Sequence, residues 1–471
     1  MPNRIPAWTL AVTSLAIFMV SLDNLVVTNA LTSIREDLGA SVESLEWTVN
    51  AYTLAFAVFL LTGAALGDRF GRERTFLAGL TIFTAASAAA ALAPSTGALI
   101  GARAIQGVGA AILAPLSLTL LSTAAPAAKR GLALGIWSGV SGLGVALGPL
   151  VGGAVIEGIS WQWIFWLNVP VGLALAPLAA RRLDESHGPA RRLDVPGLAL
   201  ASAGLLGVVY GVVRGNPAGW GSTEVVGSIA AGTALLVAFV AWELRARAPM
   251  LPLRFFRSRQ FAATNGVSLA MTFGIFGSIF LLAQFFQTVQ GYSPLEAGLR
   301  TLPWTGMPML VAPVAGILSD RLGSRPLMAT GLFLQAVAIG WIAAVSAPDV
   351  AYGTLVPAFV LGGTGMALVF APAGNAVLSA VRPEEAGQAS GANNAIRELG
   401  GVLGVAVLAA VFTGAGGFET PQAFVDGLVP AMWVGAAVLV IGGLIALLIP
   451  GKPRTRRVVS DAAVAPQPAA A

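Results

Sequence analysis

LIGARAIQGVGAAILAPLSLTL, Leu99 to Leu120, and GLALGIWSGVSGLGVALGPLVGG, Gly131 to Gly153, decide how this chain is read. They are two long apolar helices joined by a short basic turn, Lys129-Arg130. The first carries Arg103 among Leu, Ile, Ala and Gly. The second is cut by Gly135, Gly139, Gly144, Gly148, Gly152 and Gly153, with Pro149 among them. A charge inside a membrane helix is expensive, and by default it is functional and paired. Glycines spaced four apart let a neighbouring backbone come very close. The first helix therefore reads as chemical and the second as mechanical.

Of 471 residues, 56% are hydrophobic and 10% are charged. Soluble domains carry about 25% charged residues, so the solvent for much of this surface is lipid. The chain has no cysteine, which excludes disulfides and thiolate metal sites. The single histidine, His187, stands in a polar loop beside Asp184 and Glu185 with no ligand set around it, so no metal site is expected. Met1 to Pro6 holds one Arg and no cleavage-site pattern, so the apolar run that follows is read as a first spanning helix and not as a removed signal.

Fourteen apolar segments are each near or above the ~20 residues needed to cross a bilayer. They run 7–33, 46–66, 75–93, 96–122, 131–157, 163–180, 195–213, 225–242, 261–286, 297–318, 327–347, 354–381, 388–413 and 428–449. Pro357 and Pro372 interrupt the twelfth, where a kinked span is expected. With a cytoplasmic N-terminus, 22 of the 27 Lys and Arg residues fall on the cytoplasmic side. Arg35, Arg214 and Arg300 fall outside, and Arg103 and Arg397 inside helices. Basic residues mark cytoplasmic loops, so both termini are expected in the cytoplasm of a cell-membrane protein. The Arg245–Arg259 cluster reads as a loop facing lipid headgroups, with no nucleic-acid partner.

The chain repeats itself. Leu66-Gly67-Asp68-Arg69-Phe70-Gly71 returns as Leu318-Ser319-Asp320-Arg321-Leu322-Gly323, 252 positions on. Gly107 and Gly109 return as Gly363 and Gly365, and Ala114-Pro115 as Ala371-Pro372. Abutting six-helix halves would repeat after roughly 200 residues, and the excess of about 50 is two further helices. The expected fold is an all-α polytopic membrane protein. Residues 1–181 form one six-helix bundle and 182–258 carry two inserted helices with basic linkers. Residues 259–450 form the second bundle and 451–471 a disordered tail. Repeated halves with a site between them mark secondary transporters.

Asp23 lies well inside the first helix. It differs in depth from Arg103 by roughly 6 Å, within reach of an Arg side chain, so the two are expected to pair directly or through Gln106 or water. Two readings stand: a structural ion pair, or a carboxylate whose proton affinity depends on what else neutralises it. The thirteenth segment holds Asn393, Asn394, Arg397 and Glu398; Glu398 is either a second protonatable site or a fixed partner for Arg397. Glu157 reads as a solvated carboxylate at the outer surface. The repeated loops set Asp68 beside Arg69 and Arg72, and Asp320 beside Arg321. Each reads as a latch able to break as two halves rock, or as ordinary loop charge. Asn24, Trp47, Asn50, Gln106, Gln284, Trp304 and Asn394 are candidates to line a substrate cavity, packing being the alternative. The only lysines, Lys129 and Lys452, stand in no phosphate-binding frame, so no ATPase is encoded and no cofactor is expected. Uphill transport would draw on an ion gradient, worth about 2.3 kcal/mol per charge per 100 mV.

These residues resemble the major facilitator superfamily, and within it the fourteen-helix drug:proton antiporter family of multidrug efflux transporters. The likeness covers nearly the whole chain. It rests on the loop motif Leu66 to Arg72, where Ala64 replaces the usual first glycine. The helix-four set is Leu99, Arg103, Gln106, Gly107, Gly109, Ala110 and Ala111, and the helix-five set is Gly144, Gly148, Pro149, Gly152 and Gly153. Leu22-Asp23 and Ala30-Leu31 fit the helix-one motif, with Leu25 and Thr32 departing from it; Trp161 to Pro170 is similar to the lead-in to helix six. The resemblance implies a major facilitator fold working as a monomer and export of small molecules against protons. It implies Asp23 and Arg103 in coupling, Asp68 in gating and helix five at the moving interface. The family's frequent acid in helix ten is missing from Ala297 to Leu318, which speaks against dicationic substrates.

Overall fold

The computed structural model describes residues 6–126, 129–187, 193–382 and 385–451. Arg4, the pair Arg191-Arg192 and the expected disordered tail beyond Gly451 lie outside the described residues. The described chain is helical throughout, and fourteen helices are long and apolar enough to span a membrane. In chain order the first six are α1 (Ala7–Leu38), α2 (Val42–Phe70), α3 (Arg72–Ala91), α4 (Thr96–Ala124), α5 (Arg130–Gly158) and α6 (Trp163–Arg182). The next two are α7 (Val195–Ala218) and α8 (Thr223–Glu243). The last six are α9 (Arg259–Val289), α10 (Pro294–Thr305 continued by Met307–Leu322), α11 (Ser324–Val345), α12 (Tyr352–Ser379), α13 (Ala386–Ala415) and α14 (Pro421–Ala446).

Local chemistry sets these ends. Gly39 closes α1 in the left-handed conformation at φ 60°, so the helix runs to Leu38, five residues beyond the expected stop. Thr420 caps α14 ahead of Pro421, so this helix starts at Pro421 and not near Leu428. The twelfth segment crosses as one helix despite Pro357 and Pro372. A break falls at Gly306 in α10, where Pro303 and Pro308 flank the join. The internal repeat is also a repeat of geometry. Gly71 (φ 104°) and Gly323 (φ 85°) occupy matching corners between α2 and α3 and between α10 and α11, a backbone state that favours glycine.

The packing follows the same repeat. In the first half α1 packs on α5, α4 on α2 and α3, and α3 on α6. In the second, α9 packs on α13, α12 on α10 and α11, and α11 on α14. The halves meet along two seams, α5 against α10 and α2 against α13. The inserted pair α7 and α8 pack on each other, and α7 lies against α2 and α13. α7 is tied to both halves. The Arg214 guanidinium meets Glu43 at 3.2 Å, and the Asn216 amide donates to Thr413 Oγ1 at 2.7 Å and to the Ala410 carbonyl.

Candidate functional site

With an even number of crossings, both chain ends share one face, here called the terminal face. A cavity of about 1860 Å³ runs between the halves and is lined at that face by Asp68, Arg72, Arg254, Arg257 and Gln388. Deeper, its wall includes Asn24, Phe276, Trp304, Phe370, Asn394 and Glu398.

The other face is shut, and α5 shuts it. A Cβ on Gly144 would stand 2.8 Å from the Phe18 carbonyl of α1, and one on Gly153 would run into the backbone of Pro294 and Leu295 in α10. The glycines of α5 thus serve both α1 and the opposite half. The Asn29 amide donates to the Pro149 carbonyl at 2.7 Å, and the Gln287 amide donates to the Asn29 carbonyl at 3.0 Å. Glu157 keeps its expected place at the surface and has partners there. It is exposed, yet it accepts the Ser293 hydroxyl at 2.5 Å and the Leu295 N–H at 3.3 Å, both from the far half. Its partners lie 136 and 138 residues away, which no local pattern reveals.

Asp23 and Arg103 are paired as expected, each 1% exposed. The guanidinium Nη1 donates to Asp23 Oδ2 at 2.5 Å and to Gln106 Oε1 at 2.7 Å. The Gln106 amide donates to Asp23 Oδ1 at 2.8 Å and to Ser87 Oγ at 2.8 Å. Asn168, where α6 resumes after its break, donates to Asp23 Oδ1 at 2.8 Å. The guanidinium also stacks 4.1 Å over the Tyr52 ring and donates through Nε to the Thr48 carbonyl at 3.3 Å. Sequence reading did not assign Ser87, Asn168 or Tyr52 to this group; the polar Asn168 within an apolar lead-in was the available signal. Breaking a buried pair by removing one partner costs about 3–5 kcal/mol.

The network is walled off from the cavity. Ser21, Asn24 and Leu25 line the cavity, but Asp23, Arg103 and Gln106 do not. Of the seven cavity candidates, Asn24, Trp304 and Asn394 line it and four do not. Gln106 is spent on Asp23 and Ser87. Gln284 is buried and donates back to the Phe280 carbonyl at 2.9 Å. Trp47 packs toward Tyr210 of α7, ring centres 6.5 Å apart. Asn50 is buried inside the protein, away from the cavity wall.

Glu398 does line the cavity, with Arg397 3.5 Å away, and its Oε2 has no hydrogen-bond partner among the described residues. The Arg397 guanidinium sits 4.9 Å over the Phe370 ring. At the terminal face Asp68 accepts both Nε (3.0 Å) and Nη2 (2.8 Å) of Arg72, a bond within one corner and not across the halves. Arg69 lies 5.3 Å over Phe70. Arg321 is exposed, and the Asp320 side chain lies outside the described part.

Two repeated six-helix bundles around a cavity open at one face define a secondary transporter of the alternating-access class. The family model of the Major Facilitator Superfamily matches residues 13–405 and 301–471, and the chain belongs to that superfamily. It is 40% identical to the cephamycin export protein CmcT of Amycolatopsis lactamdurans, covering 93% of this chain and 91% of that one. It is 35% identical to the tetracenomycin C resistance and export protein of Streptomyces glaucescens, over 90% of this chain and 79% of the relative. The multidrug resistance protein Stp of Mycobacterium tuberculosis is 34% identical over 87% and 76%. Among solved structures, a peptide transporter POT in complex with sulfate superposes with TM-score 0.69 at 17% identity, over 94% of each chain. The xylose transporter XylE from E. coli, in a partially occluded inward-open conformation, gives 0.63 at 14% identity, over 95% and 98%. At these identities the structural likeness speaks for the fold alone.

Proposed function

We propose that this chain is a proton-coupled antiporter that exports amphipathic drugs or other small organic molecules across the cytoplasmic membrane by alternating access. It works as a monomer, with no cofactor and no catalytic chemistry, and both termini are cytoplasmic. The export half of the reading is supported by relatives named for export and resistance, and the orientation by the concentration of Lys and Arg at the terminal face. The terminal face is then the cytoplasmic one, and the cavity is open to it.

One observation carries the proton half: a carboxylate wholly inside the first bundle, held by Arg103, Gln106 and Asn168 and out of reach of cavity contents. A proton on Asp23 removes the charge that Arg103 balances and loosens the join between α1, α4 and α6. Asn24 and Ser21, next to it on α1, face the cavity. Proton and cargo therefore compete through the position of α1, not for one spot. Asp68 and Arg72 act in gating, fastened to the other half only when the cytoplasmic side closes. Glu398 meets cargo directly.

A second reading, export of one endogenous antibiotic, is favoured by relatives named for single compounds, cephamycin and tetracenomycin C. The test is proton release from purified protein, measured over a compound library. Release by many amphipathic compounds supports the first reading and release by one supports the second. Binding with no release at any pH sinks the exchange mechanism.

A further inference from the structure

The inserted hairpin is fastened at its base by two acids with no part in the mechanism above. Asp194 precedes α7, and Glu243 is the last residue of α8. Asp194 Oδ1 accepts the Gly197 N–H at 2.9 Å, capping α7, and the Trp242 indole N–H at 2.7 Å. Asp194 Oδ2 accepts the Met250 N–H at 3.4 Å, and Glu243 Oε2 accepts the Leu251 N–H at 2.9 Å. Glu243 is 4% exposed, and its Oε1 has no donor among the described residues. That oxygen faces Asp194. A Cβ built on Gly197 would lie 2.6 Å from Asp194 Oδ2 and 2.8 Å from Glu243 Oε1, so the two carboxylates flank the same small space.

Two ionised carboxylates are acceptors only, so a hydrogen bond between them would need one proton. Carboxylates sharing a site resist ionising together. Among the described residues no basic side chain forms an ion pair with either. Arg245 and Arg247 follow on the same linker without pairing, Arg254 is held by Glu385 at 2.6 Å, and at the corner between α2 and α3 Asp68 and Arg72 hold each other. Arg257 lines the same cavity without an ion pair to them, and Arg191 and Arg192 are among the undescribed residues.

The segment these acids grip crosses the mouth of the cavity. Ala246 to Met250 and Pro252 line it, as do Asp194 and Glu243. Met250 Sδ meets the Thr62 hydroxyl of α2 at 3.9 Å, and Arg254, further on, reaches Glu385 at the start of α13. The linker thus touches both halves where they part.

We propose that Asp194 and Glu243 form a proton-binding site that holds one proton between them and, when loaded, pins the linker after α8 at the mouth of the cavity. Loss of the proton leaves two adjacent charges sharing one set of donors, and their repulsion frees Met250 and Leu251. The proposal is independent of what is transported, and its test does not use transport.

The chain has no cysteine, so Ala248→Cys takes a single nitroxide spin label at the cavity mouth. Its mobility is read by electron spin resonance in proteoliposomes from acid to alkaline pH. The label is expected to pass from immobile to mobile in one step as pH rises. Glu243→Gln supplies a permanent amide donor to Asp194, and Asp194→Asn keeps the helix cap. In each the label is expected to stay immobile over the whole range. The infrared band of a protonated carboxyl at pH 6 is expected to weaken in both. A step that persists unchanged in the two variants, or its absence from the otherwise unaltered protein, overturns the proposal.

Discussion

The two bundles share a fold and spend their buried charge in opposite ways. In the first, Asp23 and Arg103 lie at the centre of a closed net in which each carboxylate oxygen has a donor, and none of it lines the cavity. In the second, the net buried between α9 and α13 is neutral: the Asn393 amide donates to Asn265 Oδ1 at 3.1 Å and to Ser268 Oγ at 3.0 Å. The buried acid of that half among the described residues, Glu398, lies at the cavity wall with one oxygen unpartnered. Similar helix packing has thus been given an inward-held charge in one half and a cavity-facing charge in the other. The difference is one of placement: the first half encloses its charge among helices, and the second sets its charge on the cavity wall, which is the arrangement the proposed function draws on.

The sharpest way to break this comparison is Asp23→Asn. It keeps the shape of the side chain and removes its charge, and it is expected to abolish proton-driven efflux from reconstituted vesicles while the protein still inserts. Full efflux would show that the closed net is only structural. Arg103→Ala should leave Asp23 unpaired and lower stability by about 3–5 kcal/mol, read as thermal unfolding in detergent. Next in size is Gly153→Leu, which fills the contact of α5 with Pro294 and Leu295. It is expected to hold the outer seal apart, cutting efflux at least tenfold and raising thiol labelling of a cysteine placed at Ser293.

Glu398→Gln sharpens the comparison from the other side. Its expected effect is on cargo, about a tenfold loss of affinity for cationic compounds (about 1.4 kcal/mol), with proton release per molecule bound unchanged. A loss of release instead would move the coupling charge into the second half.

The smallest effect concerns Glu185, in the loop after α6. It accepts the N–H groups of Glu73 at 3.0 Å, Arg74 at 3.3 Å and Ser186 at 2.9 Å, and so caps α3. Burial pushes its carboxyl upward, but the N–H groups of Glu73, Ser186 and Arg74 outweigh it and hold the group below its ordinary value. A lowered value in the folded state means stability present above the unfolded value, near 4.3, and lost as pH falls through the folded one. Glu185→Gln should cost at most about 1 kcal/mol at neutral pH, and the cost should vanish in acid. A cost that persists at low pH would count against the charge.

Much of this was legible before any coordinates. Hydropathy marks all fourteen crossings, because every span must satisfy its own backbone in lipid and so be long, apolar and helical. The repeated Asp-Arg-x-Gly corner announces two halves, since that turn needs a glycine at positive φ each time. The depth of Asp23 and Arg103 along their helices is enough to pair them. Helical rise is regular, so distance along an axis can be counted.

Direction around an axis cannot be counted so well where every face is apolar. That is why Trp47, Asn50, Gln106 and Gln284 look like cavity residues in one dimension and are not. Amphipathic patterning separates inside from outside in water; in lipid both faces are greasy, and only packing against neighbours decides which polar group meets the cavity. The same reason hides the partners of Glu157, the place of Asn168 beside Asp23, and the meeting of Asp194 with Glu243 across a two-helix hairpin. The sequence by itself determined how many times the chain crosses, which ends share a face and which charges lie at depth. The tertiary structure alone decided which of those charges are enclosed and which face the cavity, because that choice is made by contacts between helices far apart in the chain.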